Sequence, residues 1–149
     1  MKSIPSATTL LFASVWLCGA VCNRVEFPPV NSTLLDPSGN FTLYVSNQSF
    51  AISPVDINVQ IDGEVVVHQN FDVGTQHNWK KFRIALPPGT HSLTATSAKG
   101  DATLEQEFAV TGEHWAVVDF WYYPEAKGGA GPTPRQFGFR VQDSPIGFM

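Results

Sequence analysis

The sequence predicts an all-β protein, an antiparallel β-sandwich of about eight short strands. Three observations predict it. Apolar and polar residues alternate with a period of two in one segment after another, which is the side-chain period of a strand. Glycine occurs 12 times and proline 11 times, frequent enough to punctuate the chain with turns. No stretch carries the 3.6-residue apolar repeat of an amphipathic helix, and no internal repeat is found.

The first 22 residues read as a secretory signal peptide: Lys2, then an apolar run over residues 10–21, then small residues near a cleavage site. The run is shorter than the roughly 20 residues that cross a bilayer, so a membrane anchor is the weaker alternative and no span is expected in the mature chain. Cys18-Gly19-Ala20 allows cleavage before Val21, and Val21-Cys22 a slightly later one. Lipidation at Cys22 is a minority reading, because Val21 rather than a small residue precedes that cysteine. Cleavage leaves at most one cysteine and no internal disulfide, so packing alone must hold the domain. The expected location is secreted, periplasmic or at the cell surface.

Residues 23–40 carry Pro28-Pro29 and Asp36-Pro37-Ser38-Gly39, an extended lead-in ending in a turn. The sandwich domain is expected over residues 41–149. Phe41, Leu43 and Val45 alternate with Thr42, Tyr44 and Ser46 as a first strand. After a break at Ser53-Pro54, Val55, Ile57, Val59 and Ile61 alternate with polar residues in the cleanest half-buried strand of the chain. Asp62-Gly63 then signals a tight hairpin, with 64–68 returning. Residues 70–78 read as a loop, and 79–86 as a strand with Phe82, Ile84 and Leu86 on one face. Pro87-Pro88-Gly89 is a turn, 91–97 returns, Lys99-Gly100-Asp101 turns again, and 102–110 alternates Leu104, Phe108 and Val110 with outward acids. The glycine- and proline-rich stretch 124–134 is expected to be an exposed, mobile loop, and 136–142 the last strand, with Phe137, Phe139 and Val141 inward.

The remaining segment, HWAVVDFWYY at 114–123, is the longest apolar run outside the N-terminus and rich in aromatic and β-branched residues. Read as a strand, it places Ala116, Val118, Phe120 and Tyr122 on a core face. Trp115, Val117, Asp119, Trp121 and Tyr123 fall on the other.

The run Leu86-Pro87-Pro88-Gly89-Thr90-His91-Ser92-Leu93-Thr94-Ala95 and the closing Phe108-Ala109-Val110 resemble bacterial immunoglobulin-like cell-surface modules. The resemblance covers about a third of the mature domain and is one of fold, implying an immunoglobulin-like sandwich and an adhesion, spacer or ligand-binding role. The Cys–Trp–Cys framework of antibody domains is absent.

Composition removes several function classes. The formal net charge is −4 and no stripe of Lys or Arg is present, which argues against nucleic acid and against an anionic membrane surface. The chain has no G-x-S-x-G elbow, no cysteine nucleophile beyond Cys22 and no paired carboxylates, since Glu105 and Glu107 lie outward on one strand, so an enzyme is not expected. His68, His77, His91 and His114 show no metal-ligand spacing and read as surface or strand-end residues; no metal or cofactor is expected. Asp36, Asp62, Asp72 and Asp101 accompany glycine or proline as turn residues, with a calcium site between two loops left open.

The candidate ligand-binding set is Trp115, Asp119, Trp121, Tyr123 and Arg140. In one reading, flat aromatic rings stack on a sugar or a protein partner while Asp119 and Arg140 supply hydrogen bonds. In the other, which the cost of burying a lone charge favours, Asp119 and Arg140 form a cross-strand ion pair on a covered face, and the chain is a spacer or assembly module. Trp79, with His77 and Asn78, is expected to plug the open end of the sandwich. Asn31, Asn40 and Asn47 begin N-x-S/T triplets, which are glycosylation acceptors in a eukaryotic secreted protein and coincidence in a bacterial one.

Overall fold

Eight strands form two four-stranded sheets in the computed structural model, which describes residues 27, 29–76, 78–125 and 131–148. The expected signal peptide, both cysteines, His77 and the middle of the 124–134 stretch lie outside the described residues. The strands are β1 (Phe41–Asn47), β2 (Val55–Ile61), β3 (Glu64–Phe71), β4 (Lys80–Ile84), β5 (Gly89–Ser97), β6 (Ala102–Val110), β7 (His114–Tyr123) and β8 (Thr133–Gln142). One sheet runs β4-β1-β7-β8 and the other β3-β2-β5-β6.

The all-β, two-sheet architecture agrees with the sequence reading, with one correction. β1 pairs with β7 in parallel, from Phe41 opposite His114 to Asn47 opposite Phe120, so the first sheet is mixed rather than antiparallel. Local alternation cannot specify this, because a strand presents the same two faces to a parallel or an antiparallel neighbour.

The Asp62-Gly63 turn has φ of 51° and 82°, and Ile61 pairs with Glu64 across it. Two successive positive φ values are the signature of the primed hairpin turn that asparagine or aspartate followed by glycine favours. The core lies between the central strands of the two sheets. Phe41, Leu43, Val45, Val118 and Phe120 from one meet Val55, Ile57, Val59, Ile61, Leu93 and Ala95 from the other, and all are fully buried. Each such valine, leucine, isoleucine or phenylalanine contributes about 1.5–3 kcal/mol, which supports a core without disulfides.

The lead-in closes an edge. Leu35 bridges to Ile84, Ala85 N–H donates to Leu34 O at 2.8 Å, and Asp36 N–H donates to Arg83 O at 3.1 Å. The C-terminal end of β4 is therefore paired on that side rather than left open. Ser32 and Thr33 hydroxyls donate to Glu64 at 2.7 and 2.9 Å, tying the lead-in to the second sheet as well. The segment after β8 returns over the outer face of the first sheet, where Phe148 stacks on Trp79 at 4.1 Å and meets Tyr44 edge-on at 4.9 Å.

Candidate functional site

β7 positions the candidate residues. Its even-numbered side chains enter the core and its odd-numbered ones line the outer face, as the alternation predicts. That outer face divides into two different environments.

Near its middle it is covered. Val117 is 1% exposed, and Asp119 accepts hydrogen bonds on Oδ1 from Ser46 Oγ at 2.5 Å and from Trp79 Nε1 at 3.1 Å. Burial is the largest influence on the Asp119 carboxyl and pushes its pKa above the ordinary value; the two hydrogen bonds and the positive charge of Arg140 pull the other way. Ser46 in turn accepts from Gln48 Nε2 at 2.7 Å and is fully buried, so its hydroxyl knits β1 to β7 and meets no solvent.

The expected Asp119–Arg140 ion pair is not formed. Asp119 stands opposite Gly138, and Arg140 is exposed opposite Val117, one diagonal step away. The ion pairs among the described residues are Arg83–Glu113 and His91–Asp62. Trp79 is also corrected: it lies on the outer face, bonded to Asp119 and stacked on Phe148, rather than at the open end of the sandwich.

Towards the end of β7 the same face opens into a cleft of about 440 Å³, lined by Phe50, Gln76, Trp121, Tyr123, Glu125, Gly131 and Thr133. Trp121 pairs with Gln136 and Tyr123 with Thr133, so two residues of β8, Pro134 and Arg135, lie opposite the single Tyr122 of β7. Such a bulge increases local twist, and the Trp121 and Tyr123 rings are tilted by 49° with centroids 6.3 Å apart. Phe50, in the loop after β1, is 55% exposed and closes the third side.

The Tyr123 hydroxyl donates to Gln48 O at 2.6 Å, and Gln76 Nε2 donates to both Gln48 O and the Tyr123 oxygen. The ring of Tyr123 is thus held in place by bonds to the protein itself. Glu125 is the charged residue among those lining the cleft.

The structure therefore brings Trp121 and Tyr123 together, covers Asp119 with Trp79, and sets Trp115 and Arg140 apart from the Trp121–Tyr123 pair. Trp115 pairs with Gln142 at the opposite end of the strand, six residues from Trp121. A strand rises about 3.3 Å per residue, so one compact ligand cannot touch both tryptophans. Glu125 and Thr133 belong to the 124–134 stretch that the sequence sets beside the aromatic face as part of the binding surface, whereas Phe50 and Gln76, from two other loops, were not legible in it. The one available signal was Phe50, the lone aromatic of the loop at 48–54.

Other sequence candidates resolve differently. Asn31 is exposed. Asn40 bonds through its amide to Leu86 O at 3.0 Å and Gly112 O at 3.2 Å. Asn47 is 1% exposed; its Nδ2 donates to Ile52 O at 2.8 Å and Phe71 O at 3.2 Å, and its Oδ1 accepts from Ser49 N–H at 2.9 Å. His91 is a correction: it is 5% exposed, with Nδ1 2.6 Å from Asp62 Oδ2 and Nε2 2.8 Å from Pro87 O. Among the described residues no group of three or more His, Cys, Asp or Glu converges as a metal site, and no helix is long and apolar enough to cross a membrane.

Compared with known proteins, the chain matches no family model, no curated protein and no solved structure.

Proposed function

We propose that this chain is a non-enzymatic binding module of the cell exterior, whose ligand site is the aromatic cleft at the Trp121 and Tyr123 end of β7. The observation that carries the reading is the cleft itself: two partly buried rings, Trp121 and Tyr123, and an exposed Phe50 line about 440 Å³ of open space. That volume lies within the range usual for small-molecule sites, and exposed aromatics cost hydration free energy that a ligand would recover. Secretion through residues 1–22 and an immunoglobulin-like kinship belong to this proposal and rest on the sequence signals.

The test is acrylamide quenching of tryptophan fluorescence in the wild-type protein and in Trp121→Phe, followed by a ligand panel of glycans and peptides. A red-shifted, readily quenched component that disappears in the variant, together with a ligand that protects it, supports the module. A protein in which Trp121 is inaccessible, or in which no panel member changes its emission, argues against it.

A second reading has its own observation. The middle of the outer face is already covered by the chain's Trp79 and Phe148, as a structural or assembly module with a closed face would have it. The two readings concern different halves of one surface.

A further inference from the structure

We propose that the cleft recognises a quaternary or methylated ammonium group, such as the trimethylammonium end of choline. The inference rests on the module reading above and narrows its ligand class.

Three features select this chemistry over a sugar. The first is ring geometry. A sugar face stacks best on a flat platform, whereas Trp121 and Tyr123 meet at 49° with centroids 6.3 Å apart, and Phe50 adds a third wall. A tilted pair with a third aromatic encloses a compact, rounded group better than a flat one. Ring faces carry negative charge density, so each wall attracts a cation within about 6 Å of its centroid.

The second is hydrogen bonding. A sugar needs free donors and acceptors around it. Here the Tyr123 hydroxyl and the Gln76 amide nitrogen are engaged with each other and with Gln48 O, which leaves the Thr133 hydroxyl and the Glu125 carboxylate among the remaining polar side-chain groups of the lining. A quaternary ammonium has no N–H to satisfy and asks for none of them.

The third is charge. Glu125 is the charged residue lining the cleft, two residues beyond Tyr123, in a chain of net charge −4. A carboxylate beside aromatic walls favours a cation and repels phosphate or an acidic sugar.

The experiment is calorimetric titration of the purified protein with choline chloride and, in parallel, with 3,3-dimethylbutan-1-ol, the uncharged isostere of the same shape. The proposal expects choline to saturate one site, the isostere to bind about tenfold more weakly or not at all, and Glu125→Gln to weaken choline several-fold. Phe50→Ala is expected to lower choline affinity with no change in melting temperature, because Phe50 is exposed and outside the core. Sedimentation with phosphatidylcholine vesicles, competed by free choline, tells a headgroup ligand from a free one. Equal binding of choline and its isostere overturns the proposal, since shape alone would then account for it. Glycan or peptide binding that depends on Trp121, with no choline binding, overturns it while leaving the module reading standing. An absence of any Trp121-dependent ligand defeats both.

Discussion

Ser46 and Asp119 face each other directly across the parallel β1–β7 pair, and the Ser46 hydroxyl donates to the carboxylate at 2.5 Å. With Trp79 donating from the other side, the acid on the aromatic strand is bound by its own protein rather than offered to a ligand. The pairing also fixes β1 against β7 where neither a hairpin nor a disulfide joins them.

The carboxyl is expected to reduce stability when ionised. Burial raises its folded pKa above 3.8, so the fold favours the protonated form, and stability is lost as pH rises through the folded value. Asp119→Asn keeps an oxygen for both donors without the charge. It should equal or exceed the wild type at neutral pH in thermal melts, with the difference fading towards acid. Asp119→Ala removes the acceptor shared by the buried Ser46 hydroxyl and the Trp79 indole N–H and should cost about 1–3 kcal/mol. A clearly less stable Asn variant at neutral pH would show that the charge itself is needed.

His91 supplies a second pH dependence, of the opposite origin. Pro87 O and the Asp62 carboxylate only accept hydrogen bonds, so both contacts are satisfied together only by the doubly protonated, cationic ring. Burial lowers the His91 pKa, but the bonds to Asp62 and Pro87 outweigh it and raise it above 6.5. This contribution is complete below 6.5 and is lost as pH rises through the folded value. For Asp62, burial raises the pKa while the His91 and Ser92 bonds prevail and lower it below 3.8, so its share is present above 3.8 and lost as pH falls through the folded value. Because Asp62 is half exposed, the pair should be worth about 1 kcal/mol. Proton NMR should find His91 titrating above its ordinary value, and His91→Gln should flatten the alkaline limb of the stability curve.

Two glycines separate close packing from open surface. A Cβ on Gly39 would lie 2.2 Å from Ile84 O, a backbone atom held between β1 and the lead-in, whereas one on Gly112 meets nothing within 4 Å. Gly39→Ala should destabilise by about 2 kcal/mol or more in urea unfolding. Gly112→Ala should stay within about 0.5 kcal/mol of wild type. Similar midpoints for the two would contradict the approach of the lead-in turn to β4.

The C-terminal segment is expected to act as a clamp on the outer face. Phe148→Ala removes the ring stacked on Trp79 and bordering Tyr44. Because the ring is half-buried, the loss should be about 1–2 kcal/mol, with a red shift of Trp79 emission. An unchanged spectrum would mean that the segment does not lie on Trp79 in solution.

The three N-x-S/T triplets differ in what the fold permits. A glycan on Asn47 would have to displace an amide bond to Ile52 or Phe71 inside the protein, while Asn31 stands exposed. After expression in a eukaryotic secretory host, mass spectrometry of the folded protein should find glycan at Asn31 and none at Asn47. Asn47→Ala should cost about 1–3 kcal/mol, since it strands the buried partners.

What the sequence by itself determined is everything that repeats at short range. Alternation placed all eight strands near their observed positions, and parity assigned Phe120 to the core and Trp121 to the outer face. Asp62-Gly63 announced its turn because that pair tolerates the positive φ it adopts. Tertiary structure decided what depends on partners far along the chain. It chose a parallel mate for β7, set Arg140 opposite Val117 instead of Asp119, and carried Trp79 and Phe148 onto the face that local pattern left open. It also gathered Phe50, Gln76 and Glu125 around Trp121 and Tyr123. The physical reason is the same in each case. A side chain's face is set by its own backbone, but its neighbours are set by register and by loops that close over distance, and these are selected by the packing free energy of the whole.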